Sequence, residues 1–209
     1  MSDMTDRLAN VNHSRYPGPV TARREQILDT AATLFAERGF HGVSIAELGA
    51  ACGFSGPALY KHFPSKDAML AEMLVSISEE LLRVGRERSA GAADPADALR
   101  ALVAWHVDFA LRHQPLIVVQ DRDWASLPDE ARERVRSLQR RYVDLWAGRL
   151  AELHPGLDVR RARVMAHAAF GLLNSTPHSA MLPEAEMTAL LREMAAGALG
   201  LPPGPGGSA

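Results

Sequence analysis

Apolar residues recur three and four positions apart along most of the chain, while the strict alternation of a half-buried strand is scarce, so the pattern predicts an all-α protein. Ser44 precedes Ile45 with Glu47 three positions on. In that spacing the hydroxyl and the carboxylate each satisfy an unpaired amide at a helix start. The helix so begun places Ile45, Leu48 and Ala51 on one apolar face and breaks at Cys52-Gly53-Phe54, where glycine supplies a left-handed backbone. Ser55 caps a second, short helix with Pro57 in its first turn. Leu59 and Phe63, four apart, face inward; Tyr60, Lys61 and His62 point elsewhere, and Pro64 stops the segment.

Further along, Ser65 caps a long helix from Lys66 to about Arg88. SAGAADPAD forms a linker in which Asp94 and Pro95 start the next helix. Leu99, Leu102, Val103, His106, Phe109 and Ala110 make one apolar stripe that Pro115 ends. Pro128, with Asp129 and Glu130 at the positive end, opens an amphipathic rod through Val135, Leu138, Tyr142, Leu145 and Trp146 to His154. Asp158 caps a helix to about Asn174, and Pro183 begins the last, which ends near Leu199. Residues 1–20 read as a flexible arm and the Pro/Gly-rich residues 201–209 as a disordered tail.

Composition agrees with a soluble intracellular protein, and a cytoplasmic location is expected for this chain. It has 209 residues, 47% of them hydrophobic, with a formal net charge of −2. No apolar run approaches the roughly 20 residues of a spanning helix, and the polar N-terminus is no secretory signal. The single cysteine, Cys52, excludes an internal disulfide; its two readings are a packed thiol and a reactive one. Charge distribution says more than the sum. The first 70 residues hold 7 Lys plus Arg and 7 Asp plus Glu, yet no carboxylate lies between Glu47 and Asp67, and both lysines of the chain, Lys61 and Lys66, fall in that window. Arg15, Arg23 and Arg24 occupy a second acid-free stretch. Brought together by folding, these cations form the footprint of phosphate contact; the alternative is a solvated face on a small helical unit.

From Arg23 to Met73 the chain resembles the N-terminal domain of TetR/AcrR-family transcriptional regulators. Ala32, Leu34, Phe35 and Gly39-Phe40 resemble the family's first helix and the turn after it. Leu59-Tyr60, His62-Phe63-Pro64-Ser65 and Lys66 resemble the recognition helix and the start of the fourth helix. The resemblance implies a three-helix helix-turn-helix DNA-binding domain over residues 21–67, then a helical ligand-binding and dimerisation domain over 68–200. Double-stranded DNA is the implied partner, met by Arg23, Ser44, Ser55, Gly56, Pro57, Ala58, Tyr60, Lys61, His62 and Lys66. Gly56-Pro57-Ala58 departs from the more polar trio many relatives carry. Without side-chain donors these three offer close backbone approach and contact with thymine methyls, so specificity leans on Lys61, Ser55 and DNA shape.

Ala162, Ala166, Ala169 and Leu173 give one late helix a face of small side chains, and Ala189, Leu190, Met194 and Ala198 give the last helix further apolar area. Such faces close an intramolecular bundle or, as the resemblance implies, a homodimer whose two-fold axis suits a palindromic operator. Trp105, His106, Phe109, His113, Ile117, Trp124, Tyr142, Trp146, Met165, Phe170 and Asn174 supply large apolar groups with few polar ones, as a small-molecule cavity or a closed aromatic core. Arg112 and Arg122 are placed to meet an anionic head at its mouth. His106 and His113 stand two helical turns apart, roughly 10 Å, too far to share an ion, so neither a metal nor another cofactor is expected. Asp121-Arg122-Asp123 reads as a salt-bridged turn rather than catalytic carboxylates.

Two functions from different classes fit. One is a ligand-responsive regulator, with repression the expected mode, released from DNA by a small hydrophobic inducer such as an acyl-CoA. The other is an all-helical enzyme or carrier that uses the aromatic cavity directly. The 55–66 segment favours the first, because an enzyme has no need of it.

Overall fold

Helix starts set by residues two or three apart form as their spacing predicts, because such caps depend on nothing distant. In a computed structural model, described over residues 19–203 except Phe54 and with side chains from Arg23 onward, the Ser44 Oγ accepts the Glu47 amide at 3.2 Å while Glu47 accepts the Ser44 amide at 2.8 Å. Ser65 accepts from Ala68, Asp94 from Asp97, and Asp158 from Arg160 and Arg161. The described residues form ten α-helices and no strand: α1 Pro19–Arg38, α2 Ile45–Ala51, α3 Gly56–Leu59, α4 Lys66–Ala90, α5 Pro95–Arg112, α6 Gln114–Asp123, α7 Asp129–Leu153, α8 Val159–Leu173, α9 Thr176–Ser179 and α10 Glu184–Leu199.

Several expectations give way. Ser55 stands at the α3 start without a side-chain cap bond: Pro57 has no amide hydrogen, and the Ala58 amide goes to the Ser55 carbonyl at 2.9 Å. Ala51 is exposed, leaving Leu48 and part-buried Ile45 as the inward face of α2. Pro115 does not end the α5 stripe; α5 closes at Arg112, and Pro115 sits in the first turn of α6, where its missing amide costs nothing. Asp121-Arg122-Asp123 is therefore the end of α6 rather than a turn. Helix α1 takes in Pro19 and Val20 of the expected arm; residues 1–18 lie outside the described residues, as do Phe54 and 204–209. At the other end Gly200 adopts φ +66°, which lets Leu201 N reach the Ala196 carbonyl at 2.9 Å and seals α10.

Two cores fill the protein. The first joins α1, α2 and α3 to the front of α4 and to α6, through Phe35, Leu48, Leu59, Phe63, Met69, Met73, Ile77, Leu116 and Val119. The second lies among the rest of α4, α5, α7, α8 and α10, centred on Trp146. Val75 and Leu81 of α4 touch both. Gly85 allows α4 and α7 to approach closely, since a Cβ there would lie 2.7 Å from the Tyr142 ring. None of the helices among the described residues is long and apolar enough to cross a membrane.

Candidate nucleic-acid interface and ligand cavity

The α2–α3 unit is held by cations that reach backward. Arg24 forms a two-pronged ion pair with Glu72, donates to the His62 carbonyl and lies 4.0 Å over the Phe63 ring, which fixes α1 against the end of the α3 segment and α4. Arg23 donates to the Cys52 carbonyl at 3.0 Å and to Gln26 at 2.7 Å, closing the last turn of α2. Lys66 donates to the carbonyls of Phe40 and Val43 at 2.7 and 2.8 Å. The expected cationic strip is thus largely turned inward. Each of these groups satisfies carbonyls at helix ends and turns that would otherwise lack partners. Arg23 and Lys66, expected at phosphates, serve first as clamps; Arg15 lies outside the described residues.

What remains on the outer surface is a smaller set. Tyr60 is 53% exposed, and Lys61 is exposed with no side-chain partner among the described residues. Ser44, Ser55 and Pro57 are exposed beside them, with Gly56, Ala58 and His62 part-buried. The Ser44 hydroxyl is already committed to Glu47, whose carboxyl hydrogen bonds from Ser44 and Arg38 hold down at about 2. Gly56 lies against α2, with Ala46 Cα 3.6 Å from where a Cβ would sit. Burial pushes the Cys52 thiol up, which fits a packed side chain rather than a reactive one.

A cavity of about 210 Å³ lies between α4, α5, α6, α7 and α8. Of the eleven residues expected to line it, His106, Phe109, Ile117, Tyr142, Phe170 and Asn174 do, while His113 and Met165 lie at other grooves. Trp105 does not: it donates to the Leu81 carbonyl in a separate groove, with Arg88 over its ring. Trp124 stands in a single 3-10 turn, Trp124–Ser126, against the first core. Trp146 is fully buried behind the lining, edge-on to Phe170 at 5.0 Å. Periodicity along α7 puts Tyr142 and Trp146 on one stripe, but only three-dimensional neighbours decide which ring meets space. Ile77, Ser78, Leu81, Leu116, Gln120, Leu138, Gln139, Val143 and His167 complete the lining; Leu116 and Gln120 flank Ile117 on α6, a helix whose start Pro115 disguised as a stop.

One polar group sits deep in this cavity. His106 is stacked on Phe170 at 4.9 Å and on Tyr142 at 5.8 Å, with Nε2 3.0 Å from Asn174 Oδ1 and Nδ1 3.4 Å from the Tyr142 hydroxyl. Burial holds its pKa down at about 4, and the Asn174 bond only partly offsets this. The ring is neutral, so a consistent network has Nε2–H donating to Asn174 and Tyr142 donating to Nδ1. Burial likewise raises the Tyr142 phenol well above its ordinary value.

The helix that lines the cavity also grips α1. From the α6 end, Arg122 donates to the carbonyls of Phe35 and Ala36, and buried Asp123 accepts the Phe40 amide at 3.3 Å. Ser126 and His41 are 3.0 Å apart beside them. Arg122 is therefore not at the cavity mouth, and Arg112 is paired with Asp108 one turn back.

The small-residue face of α8 is used within the chain. Ala162, Ala166, Ala169 and Leu173 are fully buried toward α7 and α10, so they are not a partner surface. The adjoining face is open: Val164 is 67% exposed, with Ala168 and Gly171 one and two turns on, and Leu190, Met194 and Gly197 repeat the pattern on α10. Ala189 and Ala198 are exposed on that side of α10 too.

Comparison with known proteins agrees with this architecture. The family described as bacterial regulatory proteins, tetR family, matches residues 27–73, and the tetracyclin repressor-like C-terminal domain matches residues 92–178. The HTH-type transcriptional repressor KstR2 of Rhodococcus jostii is 32% identical over 129 residues, covering 61% of this chain and 63% of that repressor's length. A TetR-family transcriptional regulator from Bordetella parapertussis superposes with a TM-score of 0.75 at 26% identity, over 84% of this chain and 93% of the other. AibR in complex with isovaleryl coenzyme A and operator DNA shares the fold, with a TM-score of 0.64 at 22% identity over 82% and 97% of the two chains. With both halves matched and the helix-turn-helix in place, this chain belongs to the TetR family of bacterial transcriptional regulators.

Proposed function

We propose that this chain is a cytoplasmic repressor, not an enzyme, that binds a palindromic operator as a homodimer and leaves it when a small, mainly apolar ligand occupies the cavity. The observation that carries the reading is α6: Leu116, Ile117 and Gln120 line the cavity, while Arg122 and Asp123 at its end hold the carbonyls and amide at the close of α1. A ligand that prefers one position of α6 thereby biases the position of the α2–α3 unit.

On DNA, Lys61 and Tyr60 meet phosphates, and Ser55, Gly56, Pro57 and Ala58 face the bases. Lys66 and Arg23 act by holding this surface in shape. Val164, Ala168, Leu190 and Met194 form the dimer contact, which sets the separation of two α3 helices to successive turns of DNA. An acyl chain suits the cavity, with His106 and Asn174 as its buried polar end. AibR, of the same fold, holds an acyl-CoA. An enzyme or carrier accounts for the cavity but leaves the α2–α3 surface without a task.

Selection of bound duplexes from a random pool tests the reading. The expected product is a palindrome whose affinity falls when an apolar ligand is added. Enrichment of no sequence, or a palindrome bound equally with every ligand that stabilises the protein, would reject it.

A further inference from the structure

Two surface grooves of opposite character flank the cavity. Through Phe109 it borders a groove between α1, α4 and α5 lined by Glu25, Asp29, Glu80 and Asp108 against Arg88 and Arg112. Through Gln139, Val143 and His167 it borders a groove between α7 and α8 whose charged lining is Arg136, Arg140, Arg163 and Asp144. We infer that a ligand with a multiply charged phosphate head enters between α7 and α8, its acyl chain in the cavity and its head on Arg136, Arg140 and Arg163. This rests on the reading of the cavity as the inducer site, and it names the ligand class as a coenzyme A-type thioester.

Helix geometry brings the three guanidiniums together. Arg136 and Arg140 are one turn apart on α7, so they share a face, and Arg163 stands opposite on α8 with His167 one turn further along. Their present partners are exchangeable. Arg140 binds Glu133 at 2.9 Å, Arg136 reaches the same carboxylate at 4.0 Å, and Arg163 binds Asp144 at 2.8 Å, all on side chains at least half exposed or nearly so. Exposed pairs of this kind contribute little, so a phosphate, which matches the planar guanidinium fork, displaces the carboxylates readily. Three cations against two carboxylates leave the groove positive on a chain of net charge −2. The acidic groove repels the same head. Arg112, on that side, is tied to Asp108, and Arg122 to α1.

An acyl chain of short or medium length is the first choice of probe for a cavity of about 210 Å³.

Calorimetric titration with octanoyl-CoA, coenzyme A, octyl phosphate and octanol tests the assignment. In the wild type octanoyl-CoA binds more tightly than octyl phosphate, and in Arg140→Ala/Arg163→Ala its Kd rises at least tenfold with a flatter salt dependence. Octanol binding to the double variant stays within twofold, which shows that the cavity is intact, and Arg112→Ala leaves octanoyl-CoA within twofold. Unchanged octanoyl-CoA affinity in the double variant, or an equal loss in Arg112→Ala, overturns the site. Octyl phosphate binding as tightly as the thioester overturns the multiply charged head. Octanol binding without octanoyl-CoA binding overturns the head-group site and keeps the cavity; silence from both overturns the cavity reading and this site with it.

Discussion

The ammonium of Lys66 lies 4.4 Å from the ring centre of Phe40 and donates to the Phe40 carbonyl at 2.7 Å, so the first residue of α4 closes the turn that joins α1 to α2. Removing it leaves two carbonyls and a ring face without that partner. Lys66→Ala is expected to lower stability by about 1.5–3 kcal/mol, as for hydrogen bonds to a charged group, seen in chemical denaturation. Lys61→Ala should leave stability unchanged and reduce the salt slope of DNA binding by about one unit. Equal stability of both variants would contradict the clamp.

Gly56→Ala separates folding from DNA approach. Its backbone angle is ordinary and the nearest atom to an added Cβ is 3.6 Å away, so the variant should melt like the wild type. A loss of operator affinity in fluorescence anisotropy then reports DNA backbone passing close to α3; full affinity would place the duplex elsewhere.

His106 makes stability depend on pH. Its folded pKa of about 4 lies below the ordinary histidine value near 6.5, so between those values the unfolded chain binds more protons. The stabilising contribution is therefore complete above about pH 6.5 and lost progressively as pH falls to about 4, on the order of 3 kcal/mol in all. In denaturant titrations His106→Gln should flatten the profile across that window. An unaltered slope would assign the acid sensitivity to other groups.

Val164 and Leu190, 67% and 40% exposed on neighbouring helices, are the test of assembly. Val164→Glu/Leu190→Glu places charges where a partner's apolar face would lie, at a cost large enough to separate subunits. Sedimentation velocity should show a dimer become a monomer, with operator affinity lost and the far-UV circular dichroism kept. A wild-type monomer would remove the basis of the palindromic reading.

Arg122→Ala should loosen α6 from the end of α1 without touching the cavity. Ligand affinity is expected to hold within twofold while the ligand's effect on operator affinity shrinks. An unchanged ligand effect would place the coupling outside Arg122.

Most local caps were legible from sequence because both partners lie within one turn: Ser44 with Glu47, Ser65 with Ala68, Asp94 with Asp97 and Asp158 with Arg160 need no distant residue, whereas Ser55 starts α3 without a cap bond. The all-helical class and the α2–α3 surface around Tyr60 and Lys61 came from the same short-range spacing. Pro115 shows the limit, since a proline that stops one helix and a proline that starts the next leave the same mark in sequence, and only the neighbours of α6 distinguish them.

Direction was beyond the sequence. Lys66, Arg23 and Arg24 carry the charge that phosphate contact requires, but their partners Val43, Cys52 and Glu72 are 23 to 48 positions away, and those carbonyls and carboxylate turn the cations inward. The alanine face of α8 likewise suits any helix that approaches closely, and α7 and α10 of the same chain reached it first. Sequence determined which segments are helical and which faces are apolar, because those are properties of neighbours in the chain. Tertiary structure decided which apolar faces are buried, which cations are available and where the cavity opens, because each of these is a competition between partners that only the folded chain brings together.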